Sequence, residues 1–243
     1  MKLKLIALAG ALMSSTAALA APAADPAPAL HSYILLDRTG SMADLWDEAL
    51  ISVNSYAQTV GEARPGETAD ALSNEITLAV FDHQAGLQFD VLRRKTEPGA
   101  WRDVTSSEAS PRGMTPLFDA IGRTMALAEA DNPDRAVIVI MTDGHENASQ
   151  EYSREAAGAA LDRAEARGWE VVFLGADFGQ FGDAQGMGVA QGKTMGIRAG
   201  SMQESLDRLA TKARDYGTGA EAEVTFDAED RAIAREEEVT GPK

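Results

Sequence analysis

Two runs of consecutive apolar positions stand out along this chain, Tyr33–Leu36 and Ala136–Met141. Such runs are the mark of parallel strands covered on both faces. Ile76–Phe81 and Val171–Leu174 are further strand candidates. Leu87–Leu92 is different: Leu87, Phe89 and Val91 alternate with Gln88 and Asp90. Only Asp82-His83-Gln84-Ala85-Gly86 separates it from the preceding strand, a link that suits an antiparallel hairpin at a sheet edge. A weaker strand is expected over Thr194–Ile197, and Gly61–Ser73 and Arg93–Arg112 read as surface loops.

Helical spacing alternates with these strands. Leu45, Ala49, Val53, Ala57 and Val60 form one apolar stripe, and Leu117, Ile121, Met125 and Ala128 form another. A third helix is expected from about Ser153 to Arg167, with Gly168 placed to end it. A fourth opens on Ser201-Met202-Gln203-Glu204, which has the pattern of a capping box, and continues through Leu206 and Leu209. Strand–helix alternation around apolar strands predicts a doubly wound, Rossmann-like α/β sheet. It should be mostly parallel, with one antiparallel edge strand and helices on both faces. Ligands of such sheets bind where loops leave the carboxyl ends of the strands.

The N-terminus follows another pattern. A basic start with Lys2 and Lys4, an apolar run from Leu5 to Leu12 and the small residues of Ala18-Leu19-Ala20 predict a cleavable signal peptide over 1–20, cut after Ala20. The apolar run is too short for a membrane span, and no transmembrane segment is expected after cleavage. Residues 21–30, with three prolines, read as a flexible spacer, 31–216 as the folded domain and 217–243 as an acidic C-terminal tail. That tail reads either as a short helix around Asp227–Glu237 or as solvated chain. The expected location is periplasmic or secreted. The chain has 243 residues and no cysteine, so disulfides cannot support it despite export. Its formal charge of −16 becomes −18 once Lys2 and Lys4 leave with the leader. A surface so acidic disfavours nucleic acid and anionic lipid.

The candidate chemistry lies in three loops. Asp37-x-Thr39-x-Ser41 follows the first strand, Thr115 stands before Pro116 at a helix start, and Asp143-Gly144 follows Ala136–Met141. In a doubly wound sheet the strands before Asp37 and Asp143 are neighbours, so the two carboxylates project from adjacent strand ends. So placed they repel unless a proton or a cation intervenes. All the groups are hard oxygens, which suit Mg²⁺, Mn²⁺ or Ca²⁺ rather than zinc or copper.

These segments resemble the von Willebrand factor A domain family, especially its bacterial and phage-like members. The strings LLDRTGSM, PRGMTPLFDAIGRT, MTDGHENAS and GWEVVFLGAD stand in the family's order and spacing. The family's metal-ion-dependent adhesion site, D-x-S-x-S with a distant Thr and a distant Asp, falls on Asp37, Thr39, Ser41, Thr115 and Asp143. Thr39 departs from the usual serine; it keeps the hydroxyl and adds a stiffening methyl. The resemblance implies a divalent cation, Mg²⁺ first, and a protein partner that offers Glu or Asp to it. It implies a non-enzymatic adhesion or scaffold module.

Plain structural explanations also exist for each segment. Ser41-x-x-Asp44 and Thr115-Pro116 fit helix caps, and Asp143-Gly144 fits a turn. Asp119 is expected to favour a helix N-terminus electrostatically, and His145 to be a solvated loop residue. His31 and His83 are expected to be structural or exposed, and Trp46, Trp101 and Trp169 to pack. Two other functions stay open, a Mg²⁺-dependent phosphatase-like enzyme and a regulatory subunit of a larger assembly. A haloacid-dehalogenase-like phosphatase would need an acid two residues after Asp37, where Thr39 stands, and no G-x-S-x-G nucleophile elbow occurs.

Overall fold

A computed structural model describes residues 28–67, 72–176 and 181–240. The leader expected over 1–20 and most of the spacer lie outside them. A six-stranded sheet runs through the molecule, formed by β1 (Ala29–Asp37), β2 (Ser73–His83), β3 (Leu87–Thr96), β4 (Arg135–Thr142), β5 (Glu170–Ala176) and β6 (Thr194–Ile197). Its order is β3-β2-β1-β4-β5-β6. Every pairing is parallel except β2–β3, the hairpin that makes one edge.

The two apolar runs become the central neighbours β1 and β4, paired from Leu30↔Arg135 to Leu36↔Met141. Because side chains alternate across a strand, each run feeds two cores. Ile34, Leu36, Val137, Val139 and Met141 pack on the face carrying α1 (Trp46–Thr59) and, later in the chain, α5 (Met202–Thr218). Tyr33, Leu35, Ala136, Ile138 and Ile140 pack on the opposite face, under α2 (Leu117–Asp131) and α3 (Arg154–Ala166). Helices thus cover both faces. A short α4 (Gly182–Gly186) precedes β6, and α6 (Ala228–Ile233) and α7 (Glu236–Thr240) follow α5. Among the described residues no helix is long and apolar enough to cross a membrane.

Several details differ from expectation. Strand β3 continues through Arg93-Arg94-Lys95 to Thr96, where a loop was expected; Arg94 and Lys95 are exposed at the edge, and Arg93 is held by Arg102 O and the Glu108 carboxylate. The Ser201 capping box does not form, since Ser201 makes no side-chain cap bond. The Glu48 carboxylate of α1 instead accepts from Gly200 N–H and Met202 N–H at 2.9 Å, capping α5 from a neighbouring helix. Trp46, by contrast, packs as expected: it is buried and donates through Nε1 to Ala109 O. The chain beyond Tyr216 takes the helical alternative: Val224, Phe226 and Ala234 enter the core on the α1/α5 face.

Candidate metal centre

Five oxygen-bearing side chains from three loops meet at the carboxyl edge of the sheet. Asp37, the last residue of β1, is fully buried and forms the floor. Its Oδ1 accepts from Thr39 N–H at 2.7 Å, which folds the chain back over the strand end. Its Oδ2 accepts from Thr142 Oγ1 at 2.6 Å, from the strand beside it. The next turn, a 3₁₀ turn over Gly40–Asp44, lifts Ser41 to the surface, where its hydroxyl donates to Asp143 Oδ1 at 2.6 Å. Thr115 Oγ1 donates to Thr39 Oγ1 at 3.3 Å, and Thr39 Oγ1 lies 3.2 Å from Ser41 Oγ. One directed chain therefore runs from Thr115 through Thr39 and Ser41 to Asp143. The structure brings together all five residues singled out in the sequence, and the Thr39 hydroxyl occupies a place within reach of both its neighbours.

The second loop is zipped into position by backbone bonds. Arg112 N–H donates to Arg38 O at 2.8 Å and Gly40 N–H to Gly113 O at 3.2 Å, while His83 N–H donates to Met114 O at 3.0 Å. Gly113 adopts φ +71, and a Cβ there would collide with the His83 carbonyl. Arg38, the first unspecified residue of D-x-T-x-S, is buried and bridges Asp82 at 2.5 Å and Asp90 at 2.6 Å. That pair of contacts ties the first loop to the β2–β3 hairpin.

The loop after Asp143 is held by residues of other elements. Asn147 Oδ1 accepts from Thr115 N–H at 2.8 Å, and Asn147 N–H donates to Thr115 O at 3.0 Å. Glu146 accepts from Phe118 N–H at 3.0 Å, and Ser149 Oγ from Asp119 N–H at 3.1 Å. The first turn of α2 is thus capped by this loop; Thr115 and Pro116 make no side-chain cap bond there. The buried Asp119 carboxylate accepts from Gln150, Glu151 and Tyr152 N–H at 2.7–2.9 Å, so its task is to hold the loop. His145 is exposed at the rim and contacts Asp183 Oδ2 at 3.3 Å.

Sequence reasoning missed Thr142, Asn147, Glu146 and Arg38 as supports of the site. For Thr142 a signal existed: in the parallel register that pairs Leu36 with Met141, the residue beside Asp37 is Thr142. The others act through contacts distant in sequence.

The electrostatics follow from this burial. Desolvation pushes Asp37 up to about 6, with the nearby Asp143 charge adding to the rise and the Thr142 and Thr39 hydrogen bonds opposing it. Burial also raises Asp143. Among the described residues no three His, Asp or Glu side chains gather as a metal-holding group. The candidate set has two carboxylates and three hydroxyls. That donor set fits a hard dication: the carboxylates match its charge, the hydroxyls offer further lone pairs, and a cation would relieve the cost of two ionised carboxylates at adjacent strand ends.

Solved structures share this fold. The vWF domain of the type V pili tip protein Mfa5 from Porphyromonas gingivalis matches with a TM-score of 0.55 and 13% identity, over 77% of this chain and 95% of that one. The pilus adhesin SpaC from Lactobacillus rhamnosus GG matches at 0.57 and 12%, over 79% of this chain and 31% of its own length. Proximal thread matrix protein 1 from the mussel byssus matches at 0.51 and 12%, over 80% of this chain and 47% of its own. The chain thus spans about half of the mussel protein and under a third of SpaC. No protein-family model matches the sequence, and no curated protein matches it. The likeness is one of fold: this is a von Willebrand factor A-like α/β domain.

Proposed function

We propose that this chain is an exported, divalent-metal-dependent protein-binding module and not an enzyme. The observation that carries the reading is the convergence of Asp37, Thr39, Ser41, Thr115 and Asp143 at one end of the sheet. These five would hold the cation, Mg²⁺ in first place, with Mn²⁺ and Ca²⁺ as alternatives. When bound, the ion supplies an electrophilic position for a Glu or Asp carboxylate of a partner protein. The gradation of burial suits that role. Asp37 lies on a closed floor, whereas Ser41 is exposed and Asp143 half-buried, so an incoming carboxylate approaches on their side. The loop bonds of Asn147, Glu146 and Asp119 keep Thr115 and Asp143 in place before any ligand arrives, which limits the ordering cost of binding.

The fold shared with a pilus tip protein and a pilus adhesin supports an adhesive or scaffolding role by analogy. The leader-like residues 1–20 support export, to the periplasm or beyond the cell. Thr39, where a phosphatase of the haloacid dehalogenase type would carry its acid, supports the non-enzymatic reading.

The test is a peptide array scanning Asp- and Glu-containing sequences, probed with the labelled chain in Mg²⁺ and in EDTA. The expected result is a subset of acidic peptides retained in Mg²⁺, released by EDTA, and never bound by an Asp143→Ala chain. Retention that ignores EDTA and the substitution would contradict the proposal.

A further inference from the structure

The rim beside Thr115 carries an exposed guanidinium that the five oxygen groups leave unused. Arg112, Gly113 and Met114 are exposed and lead directly into the buried Thr115. Their backbone runs beside the first loop, since Arg112 N–H donates to Arg38 O and Gly40 N–H to Gly113 O. One contact aims the Arg112 side chain: Nε donates to Oδ2 of the fully buried Asp82 at 3.1 Å. The same oxygen accepts from Arg38 Nε at 2.5 Å. Asp82 Oδ1 has no hydrogen-bond partner among the described residues, so the Arg112 fork does not close on both oxygens. Its terminal nitrogens hold no carboxylate or carbonyl among the described residues, and the side chain is 45% exposed.

This is not an ordinary surface ion pair, in which both partners sit in water and are free to part. Asp82 is closed off from solvent and shared with Arg38, so it fixes Arg112 by one edge and leaves the other edge turned outward. Two parallel terminal N–H groups match the two oxygens of a carboxylate. Because the guanidinium is already oriented, a carboxylate that meets it pays little for ordering it. On the opposite rim the comparable cation is occupied: Arg154 Nη2 donates to Asp183 Oδ1 at 3.0 Å, and the guanidinium lies over the Phe118 ring. In a molecule of formal charge −16, an open cation beside an anion-accepting centre concentrates positive field where an acidic partner arrives. Met114, 49% exposed, stands on the same rim, and Arg and Met are both residue types enriched in interfaces.

We propose that Arg112 is a specificity-determining residue of this centre. Its terminal nitrogens take a second carboxylate from the same partner segment whose first carboxylate goes to the metal. The chain therefore selects segments with two nearby acidic residues over segments with one. This rests on the reading of the centre as a metal-dependent acceptor of a carboxylate.

The test uses synthetic peptides in a Gly-Ser background. One set carries a single Glu, and the other adds a second Glu at successive positions on either side. Dissociation constants are measured in Mg²⁺ by fluorescence anisotropy for the unaltered chain, Arg112→Gln and Arg112→Lys, and Mg²⁺ affinity is measured separately by calorimetry. The unaltered chain should bind the best two-acid peptide about fivefold or more tightly than the best single-acid peptide. That excess should shrink between about 0.15 M and about 1 M salt. In Arg112→Gln only the statistical gain of offering two Glu should remain, while Mg²⁺ binds as before, because backbone bonds and not the guanidinium place Thr115. Arg112→Lys, which keeps the charge and loses the fork, should retain part of the preference. A preference that survives Arg112→Gln, or single-acid binding with no preference at any spacing, would overturn the proposal and leave the metal reading standing. Loss of both peptide sets together with Mg²⁺ affinity in Arg112→Gln would assign the residue to loop structure and overturn it too. If the unaltered chain binds neither set in Mg²⁺, both readings fall together.

Discussion

Replacing Asp37 with asparagine separates the two consequences of burying that carboxylate. Without a cation the carboxylate is a burden: desolvation holds its pKa at about 6 against the ordinary 3.8. A raised carboxyl pKa means that the folded state retains the proton longer than the unfolded chain. Stability from this group is therefore greatest at acid pH, falls as pH rises through 3.8 to about 6, and stays reduced above. The difference corresponds to about 3 kcal/mol. Asparagine keeps an oxygen for Thr39 N–H. Its amide can donate to Thr142 Oγ1, whose own hydrogen can turn to Gly144 O, 3.2 Å away. Allowing for weaker neutral hydrogen bonds, the variant should gain about 2 kcal/mol in EDTA near neutral pH. That raises the midpoint of thermal unfolding by about 4–8 °C. Saturating Mg²⁺ should reverse the order, since wild type at one hundred times the dissociation constant gains about 2.7 kcal/mol and the variant gains nothing. Calorimetry or fluorescence-monitored melting with and without Mg²⁺, repeated at about pH 4 where the advantage in EDTA disappears, decides the matter. A variant less stable than wild type in EDTA, or one that Mg²⁺ stabilises equally, would refute the reasoning.

Other consequences follow from the same contacts. Metal binding must displace a proton from Asp37 below its pKa of about 6, so the Mg²⁺ dissociation constant measured by calorimetric titration should weaken about tenfold per pH unit below that point and level off above it. Gly122 of α2 faces the ring of Tyr152, and a Cβ there would overlap it. Gly122→Ala should cost about 1–3 kcal/mol in urea unfolding and weaken Mg²⁺ binding, because Tyr152 N–H belongs to the loop held by Asp119. Glu48→Ala removes the cap of α5 and should cost about 0.5–2 kcal/mol in the same assay, with Mg²⁺ affinity unchanged.

The sequence made the central sheet legible because β1 and β4 are covered on both faces, so their apolar runs are uninterrupted. The hairpin was legible from a short link and a period of two. The extent of β3 was not, since Arg93-Arg94-Lys95 breaks the alternation: Arg94 and Lys95 are exposed at the edge, while Arg93 is held by Arg102 O and by Glu108, 15 residues away. The three oxygen-bearing loops could be found because each directly follows a strand or opens a helix. Their supports could not. Asp119, Glu146 and Asn147 act on backbone amides about thirty residues away, and Glu48 caps a helix 152 residues distant, contacts that no local pattern announces. Ser201 illustrates the converse, a fitting local motif displaced by a charged group from a neighbouring helix. The C-terminal segment read as acidic tail because its charges are many, while its anchors Val224, Phe226 and Ala234 are spaced too widely to form a recognisable stripe.

The most direct test of the central claim is a crystal of the chain soaked in Mn²⁺ and measured at the manganese absorption edge. The account predicts one anomalous peak per chain, enclosed by the side chains of Asp37, Thr39, Ser41, Thr115 and Asp143, and its loss in Asp37→Asn crystals. No peak at that place, or a peak that persists in the variant, would contradict it.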